Sequence, residues 1–168
     1  MDVSRLIRDL LPLAIATLVV GAVTLWLLGN NPSIGRWVLA ALLFAHGWVH
    51  LMFVFPKPDP AKAKPDATPW PFDLSTSWLI TRGGLPAAAV IGLGRALIVV
   101  TFVVSLLAAL ATLGWLVPAG WWVGLVVAAA GGSALLLLLC FSPTLIIGLA
   151  IDAALVWLAL AGPWSPGG

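Results

Sequence analysis

Five stretches of this chain, residues 10–28, 37–55, 96–117, 121–141 and 144–162, are each apolar for about as long as a bilayer is thick. A helix rising about 1.5 Å per residue crosses the hydrocarbon core in roughly 20 residues, and each stretch is close to that length. Together they hold no Lys or Arg and one carboxylate, Asp152. Backbone groups in hydrocarbon must bond internally, so long unbroken runs of this kind predict helices, not the alternating ten-residue segments of a barrel. The expected fold is an all-α integral membrane bundle of five transmembrane helices (four being the smaller alternative), in one membrane domain spanning 1–168.

Composition supports this. The chain is 62% apolar and 8% charged, against roughly 25% charged in soluble domains. Eight basic residues placed around apolar runs read as topology signals and give no argument for a nucleic-acid partner. The first run ends in Trp26-Leu27-Leu28-Gly29 and exceeds the length of a signal-peptide core, so a retained helix is expected. Cys140, the single cysteine, excludes an internal disulfide and a Cys-x-x-Cys redox pair, and it reads as a small apolar residue.

Short loops rich in Lys and Arg stay in the cytoplasm. Arg5 and Arg8 precede the first run. Arg36 lies in the first loop, 29–36, while Lys57, Lys62, Lys64, Arg82 and Arg95 lie between the second run and the start of the third. A cytoplasmic N-terminus puts seven basic residues inside and one outside, so the C-terminus is expected outside. Trp37, Trp115, Trp121, Trp122 and Trp157 fall near the ends of the runs, where indole rings suit the headgroup layer.

The hydrophilic loop, 56–85, opens with six prolines that favour extended backbone. Its second half, from Asp73 through Ile80, has the pattern of a short capped helix closed by Gly83-Gly84, placed to lie on the membrane surface. Pro86 suits a helix start, which leaves open an interfacial extension of the third run that passes Arg95. Arg95 itself is expected to reach lipid headgroups. On the fourth run, Gly124, Ala128 and Gly132 form a small-residue stripe expected to pack against a neighbouring helix, with Ser133 beside it able to bond across.

The intramembrane polar residues carry the functional question. His46 and His50, the only histidines, lie four apart and so on one helix face. At 1.5 Å per residue His46 lies about 13 Å below the cytoplasmic end of its helix, His50 about 7 Å, and Asp152 about 12 Å on the fifth. That arithmetic predicts that Asp152 meets His46, with Gly47 and Gly148 permitting close approach. The trio suits four readings: a packing cluster, a proton relay, a metal site made of His46, His50 and Asp152, or a His ligand to haem or a chlorophyll-type pigment for which Gly47 makes room. Thr17, Thr24, Thr101 and Ser105 are expected to bond to their own helix backbones. Nothing in the sequence brings a serine to the histidines.

The run Ala45-His46-Gly47-Trp48-Val49-His50-Leu51, the Trp121-Trp122 pair and the Phe141-Ser142-Pro143 hairpin resemble a group of small, uncharacterised bacterial polytopic membrane proteins. These have a His-Gly-x-x-His-Leu signature in an early transmembrane helix. The resemblance covers about 41–157; it implies a helical bundle in a bacterial inner membrane and carries His46 and His50 over as a signature, without an activity. The expectation from the whole sequence is an accessory subunit of a larger membrane assembly, such as an energy-converting complex, with lipids and other membrane subunits or further copies of itself as partners. The alternatives are a redox or metal-dependent membrane enzyme using His46, His50 and Asp152, and an oligomeric transporter or proton-relay protein.

Overall fold

The structure, a computed structural model, describes residues 3–55, 71–162 and 164–166. It is an all-α bundle, and among the described residues five helices are long and apolar enough to cross a membrane. The proline-rich half of the loop, 56–70, lies outside the described residues.

Helix α1, Val3–Asn30, begins earlier than its apolar run because nothing before Leu10 breaks it. It is followed almost at once by α2, Pro32–Val49. The expected first loop of 29–36 shrinks to Asn31, whose side chain accepts from the Ile34 amide while Pro32 occupies the first helical position. This tight reversal needs Gly35, since a Cβ there would lie 2.7 Å from the Leu28 backbone nitrogen. After Val49 the chain tightens into a 3-10 turn, His50–Phe53.

In the described part of the loop, Asp73 caps a 3-10 turn over Leu74–Thr76, and Ser77 caps the short helix α3, Trp78–Thr81. This segment docks on the bundle. The Ser77 hydroxyl donates to the Leu139 carbonyl at 2.6 Å and the Trp78 indole to the Leu138 carbonyl at 2.9 Å. Those carbonyls, at the end of α5, have no partner within their own helix, so the loop completes it. Leu74 packs over Gly94, where a Cβ would come within 2.5 Å of its Cδ2.

Helix α4, Ala87–Leu113, starts directly after Pro86, nine residues before the start of its apolar run, and stops at Gly114 in the left-handed conformation at φ 70°. The extension past Arg95 is therefore continuous with the span, and Arg95 sits exposed on its outer surface. Helices α5, Trp122–Leu139, and α6, Ile146–Ala161, complete the chain, each entered through a 3-10 turn.

Helix α4 lies between α2 and α5; α6 packs on α5, and α1 packs on α2 with a smaller contact to α6. The core has an apolar cluster at each end. One gathers Leu39, Leu43, Ala108, Trp122, Val126 and Leu158; the other gathers Phe53, Leu74, Ile98, Leu136, Leu139 and Leu145. His50 in the turn after α2, Thr101 and Ser105 on α4, Ser133 on α5 and Asp152 on α6 are buried between these two clusters, while Thr112 of α4 lies within the first, beside Trp122.

Two expectations change here. Trp122 was placed at the headgroups, yet it is 1% exposed, because its indole donates to the Thr112 hydroxyl at 2.9 Å and its ring meets Trp164 edge-on. Trp37, Trp115, Trp121 and Trp157 are exposed, as an interfacial belt requires. The small-residue stripe also turns differently. Gly132 does meet α4, but Gly124 and Ala128 are exposed, and a Cβ on Gly124 would touch nothing within 4 Å. The packed face of α5 instead runs through Val126, Ala129, Ala130, Ser133, Leu136 and Leu137. A helix rotates 100° per residue, so residues four apart drift off a straight line, and the polar demand of Ser133 sets which line is buried.

Candidate functional site: a buried polar cluster joining four helices

Close helix approach creates the site. A Cβ on Gly47 would lie 2.6 Å from the Ser105 Cβ, and one on Gly132 would lie 2.6 Å from the Thr101 hydroxyl oxygen. On the other flank, a Cβ on Gly148 would lie 2.7 Å from Leu137 Cδ1. Glycines on α2, α5 and α6 thus draw these helices and α4 together around one layer, in which His50, Thr101, Ser105, Ser133 and Asp152 are all buried.

His46 and Asp152 meet as the depth arithmetic expects: His46 Nε2 lies 3.1 Å from Asp152 Oδ1, with both side chains buried. The approach is off the hydrogen-bonding direction, and neither atom has a hydrogen-bond partner. The His46 and His50 rings stack edge to face with centroids 5.2 Å apart.

The residue that sequence reasoning missed as a member of this site is Ser133. Its hydroxyl donates to Asp152 Oδ2 at 2.9 Å, and its oxygen lies 2.8 Å from His50 Nε2. One hydroxyl thereby links α2 to α6. The sequence held a usable signal: Ser133 lies about 9 Å from the end of α5 at 1.5 Å per residue, between the depths of His50 and Asp152. The expectation that no serine reaches the histidines is overturned. The arrangement is still not a nucleophilic triad, because Asp152 binds the serine instead of orienting the imidazole.

Thr24 bonds to the Val20 carbonyl, as expected of a hydroxyl in a helix. Thr101 and Ser105 do not: both hydroxyl oxygens are fully buried and without a hydrogen-bond partner. They face glycines on α2 and α5 at contact distance, next in sequence to His46 and Ser133, and so they border the cluster.

Proton accounting follows from the distances. His50 Nδ1 lies 2.7 Å from the His46 carbonyl, which can only accept, so Nδ1 carries a proton. If Ser133 donates to an ionised Asp152, His50 Nε2 must donate to Ser133, and His50 holds both protons. Moving one proton from His50 to Ser133 and another from Ser133 to Asp152 gives neutral His50 and a carboxylic acid, with every bond kept. Each form contains one proton more than neutral His50 with ionised Asp152. In that proton-poor form a single hydroxyl hydrogen would serve two acceptors.

This geometry is unlike that of a metal or macrocycle site. Both ring nitrogens of His50 are engaged within the protein, and among the described residues no three His, Cys, Asp or Glu side chains gather as metal ligands. The space that Gly47 leaves is filled by Ser105, not open for a haem or chlorophyll-type ring. No family model matches the chain, and no curated protein or solved structure does either.

Proposed function

We propose that the protein is a proton-relaying subunit of a larger assembly in a bacterial inner membrane, with its N-terminus in the cytoplasm. The observation that carries this reading is the unbroken chain His50–Ser133–Asp152, with links of 2.8 and 2.9 Å, which is fully bonded only when it holds an added proton. Burying an ion pair costs several kcal/mol per ion, so of the two forms that hold the added proton the neutral one, with a carboxylic acid and an uncharged imidazole, is favoured. A concerted shift of two protons through Ser133 converts it to the ion pair without moving a heavy atom. His46, whose unpartnered nitrogen lies 3.1 Å from Asp152, stands ready to bond to the carboxyl when that shift occurs.

Membership of a larger assembly is supported by the outward-facing side of the bundle. Gly124 and Ala128 turn away from the chain and would let another subunit's helix approach closely.

Infrared difference spectra of the protein in lipid nanodiscs test the relay. A carboxylic-acid C=O band is expected in the neutral range, lost in Asp152→Asn and shifted in Ser133→Ala. If wild type and Asp152→Asn give the same spectrum at every pH, no proton is held there and the relay is wrong. Mild-detergent extraction from the native host tests the second half: stable companion subunits are expected, and a lone monomer overturns it.

A further inference from the structure

The two apolar clusters that close off the polar layer are built differently. At the far end every buried member, Leu39, Leu43, Trp122 and Leu158 among them, belongs to a spanning helix. At the end that carries the loop, Leu74 is a buried member and Phe72 a flanking one, and both come from the docked segment. Leu74 fills the notch over Gly94, and the Phe72 ring meets Phe53 edge-on with centroids 5.2 Å apart. Phe53 closes the same 3-10 turn that begins at His50, about 6 Å along at 2.0 Å per residue. His50, itself buried, is the member of the relay that this turn carries.

We propose that residues 72–85 form a lid that governs the passage of protons between water and His50. The inference rests on the relay reading and adds its regulation. The segment is a unit of its own. Asp73 caps its first turn, Ser77 caps its helix, and the Leu85 amide donates back to the Leu79 carbonyl at 3.0 Å, so lifting it breaks none of these bonds. Its latch is the pair of bonds from Ser77 and Trp78 to the Leu139 and Leu138 carbonyls, together with the burial of Leu74. A short segment with so small a buried anchor opens far more often than the spans do. On opening, the two carbonyls at the end of α5 turn to water, and Phe53 loses the ring packed against it. Only side chains of the bundle itself then separate water from His50. With the lid down, the added proton is held in the layer.

Cys140, buried in the cluster that Leu74 helps to close, serves as the probe of opening. Its labelling by N-ethylmaleimide is timed in nanodiscs alongside hydrogen–deuterium exchange of the Asp152 carboxyl, read from its infrared band. The double variant Ser77→Ala/Trp78→Phe, which removes both latch bonds, is expected to raise the two rates together by about tenfold, the worth of two hydrogen bonds. Leu74→Ala, which keeps the latch bonds and empties the notch, is expected to raise both rates at least as much. Trp122→Phe, which loosens the opposite end, is expected to change neither. Faster labelling with unchanged carboxyl exchange means that the segment opens without serving the relay and overturns the proposal. Equal acceleration by Trp122→Phe, or wild-type rates in both lid variants, overturns it too. In those cases the infrared band persists and the relay stands; a wild-type protein without that band overturns the relay, and the lid with it.

Discussion

Helices α1 and α5 are both transmembrane helices by composition, yet only 6% of the α1 span is buried against the rest of the chain and 44% of the α5 span is. In water a helix as bare as α1 would have little reason to stay folded. In lipid its side chains, among them Leu11, Ile15, Leu18 and Trp26, can face acyl chains while its backbone bonds stay internal. Its sequence therefore has to be apolar and little else. Helix α5 has to be apolar and also to place Ser133, Gly132 and Trp122 at fixed positions, because three neighbours depend on them. Stability in this protein should depend on which residue stands where in the second case and on average hydropathy in the first.

The largest contrast should come from glycine. Gly47→Leu drives a side chain into Ser105 and the Phe102 backbone, whereas a Cβ on Gly21 of α1 meets nothing within 4 Å. Overpacking of that kind costs about 3 kcal/mol or more, against nearly none for Gly21→Leu. Melting followed by gel filtration in mild detergent should separate the two variants clearly, and equal melting points would erase the comparison. Next comes the hydroxyl pair. Ser133→Ala leaves His50 Nε2 and Asp152 Oδ2 without their partner, a loss of about 2–4 kcal/mol for two stranded buried groups. Thr24→Ala on α1 removes a bond to its own helix and the methyl of a side chain only 4% exposed, so about 1 kcal/mol is expected. If Ser133→Ala is as stable as Thr24→Ala, the cluster is not a structural keystone.

The smallest effect belongs to tryptophan. Trp122→Phe keeps most of the buried ring but loses the bond to Thr112, whose hydroxyl still donates to the Ala108 carbonyl, so about 1 kcal/mol is expected. Trp26→Phe, at a site 62% exposed, should cost nothing measurable. Reversal of that order would place α1 against a permanent partner and not against lipid.

The legible part of this fold follows the same division. Five apolar runs were enough to find the spans, and depth along two of them was enough to bring His46 to Asp152, since an isolated ionisable group in lipid has few places to go. Rotation about each helix axis was not legible. It decides that Gly124 and Ala128 face outward, that Trp122 turns in, and that Thr101 and Ser105 leave their own carbonyls for a neighbour's glycine. In α4 and α5 apolar residues surround the helix on every side, so no amphipathic stripe marks the inner face. Only the polar residues betray it, and they do so once their partners on other helices are known. Ser133 was visible as a serine able to bond across; that it bonds in two directions depends on α2 and α6 arriving together.

The docking of Ser77 and Trp78 on the carbonyls of α5 bears on how the molecule is made. Those two donors leave the ribosome roughly sixty residues ahead of the acceptors they serve, with sequence separations of 62 and 60. The waiting strap has no such target until the fourth span emerges; that span's last turn, in its turn, finds its clasp already synthesised. Assembly of this end of the protein is thus ordered by translation itself, and a chain stalled before Leu138 would display the unfastened strap to any quality-control protease on that side of the membrane.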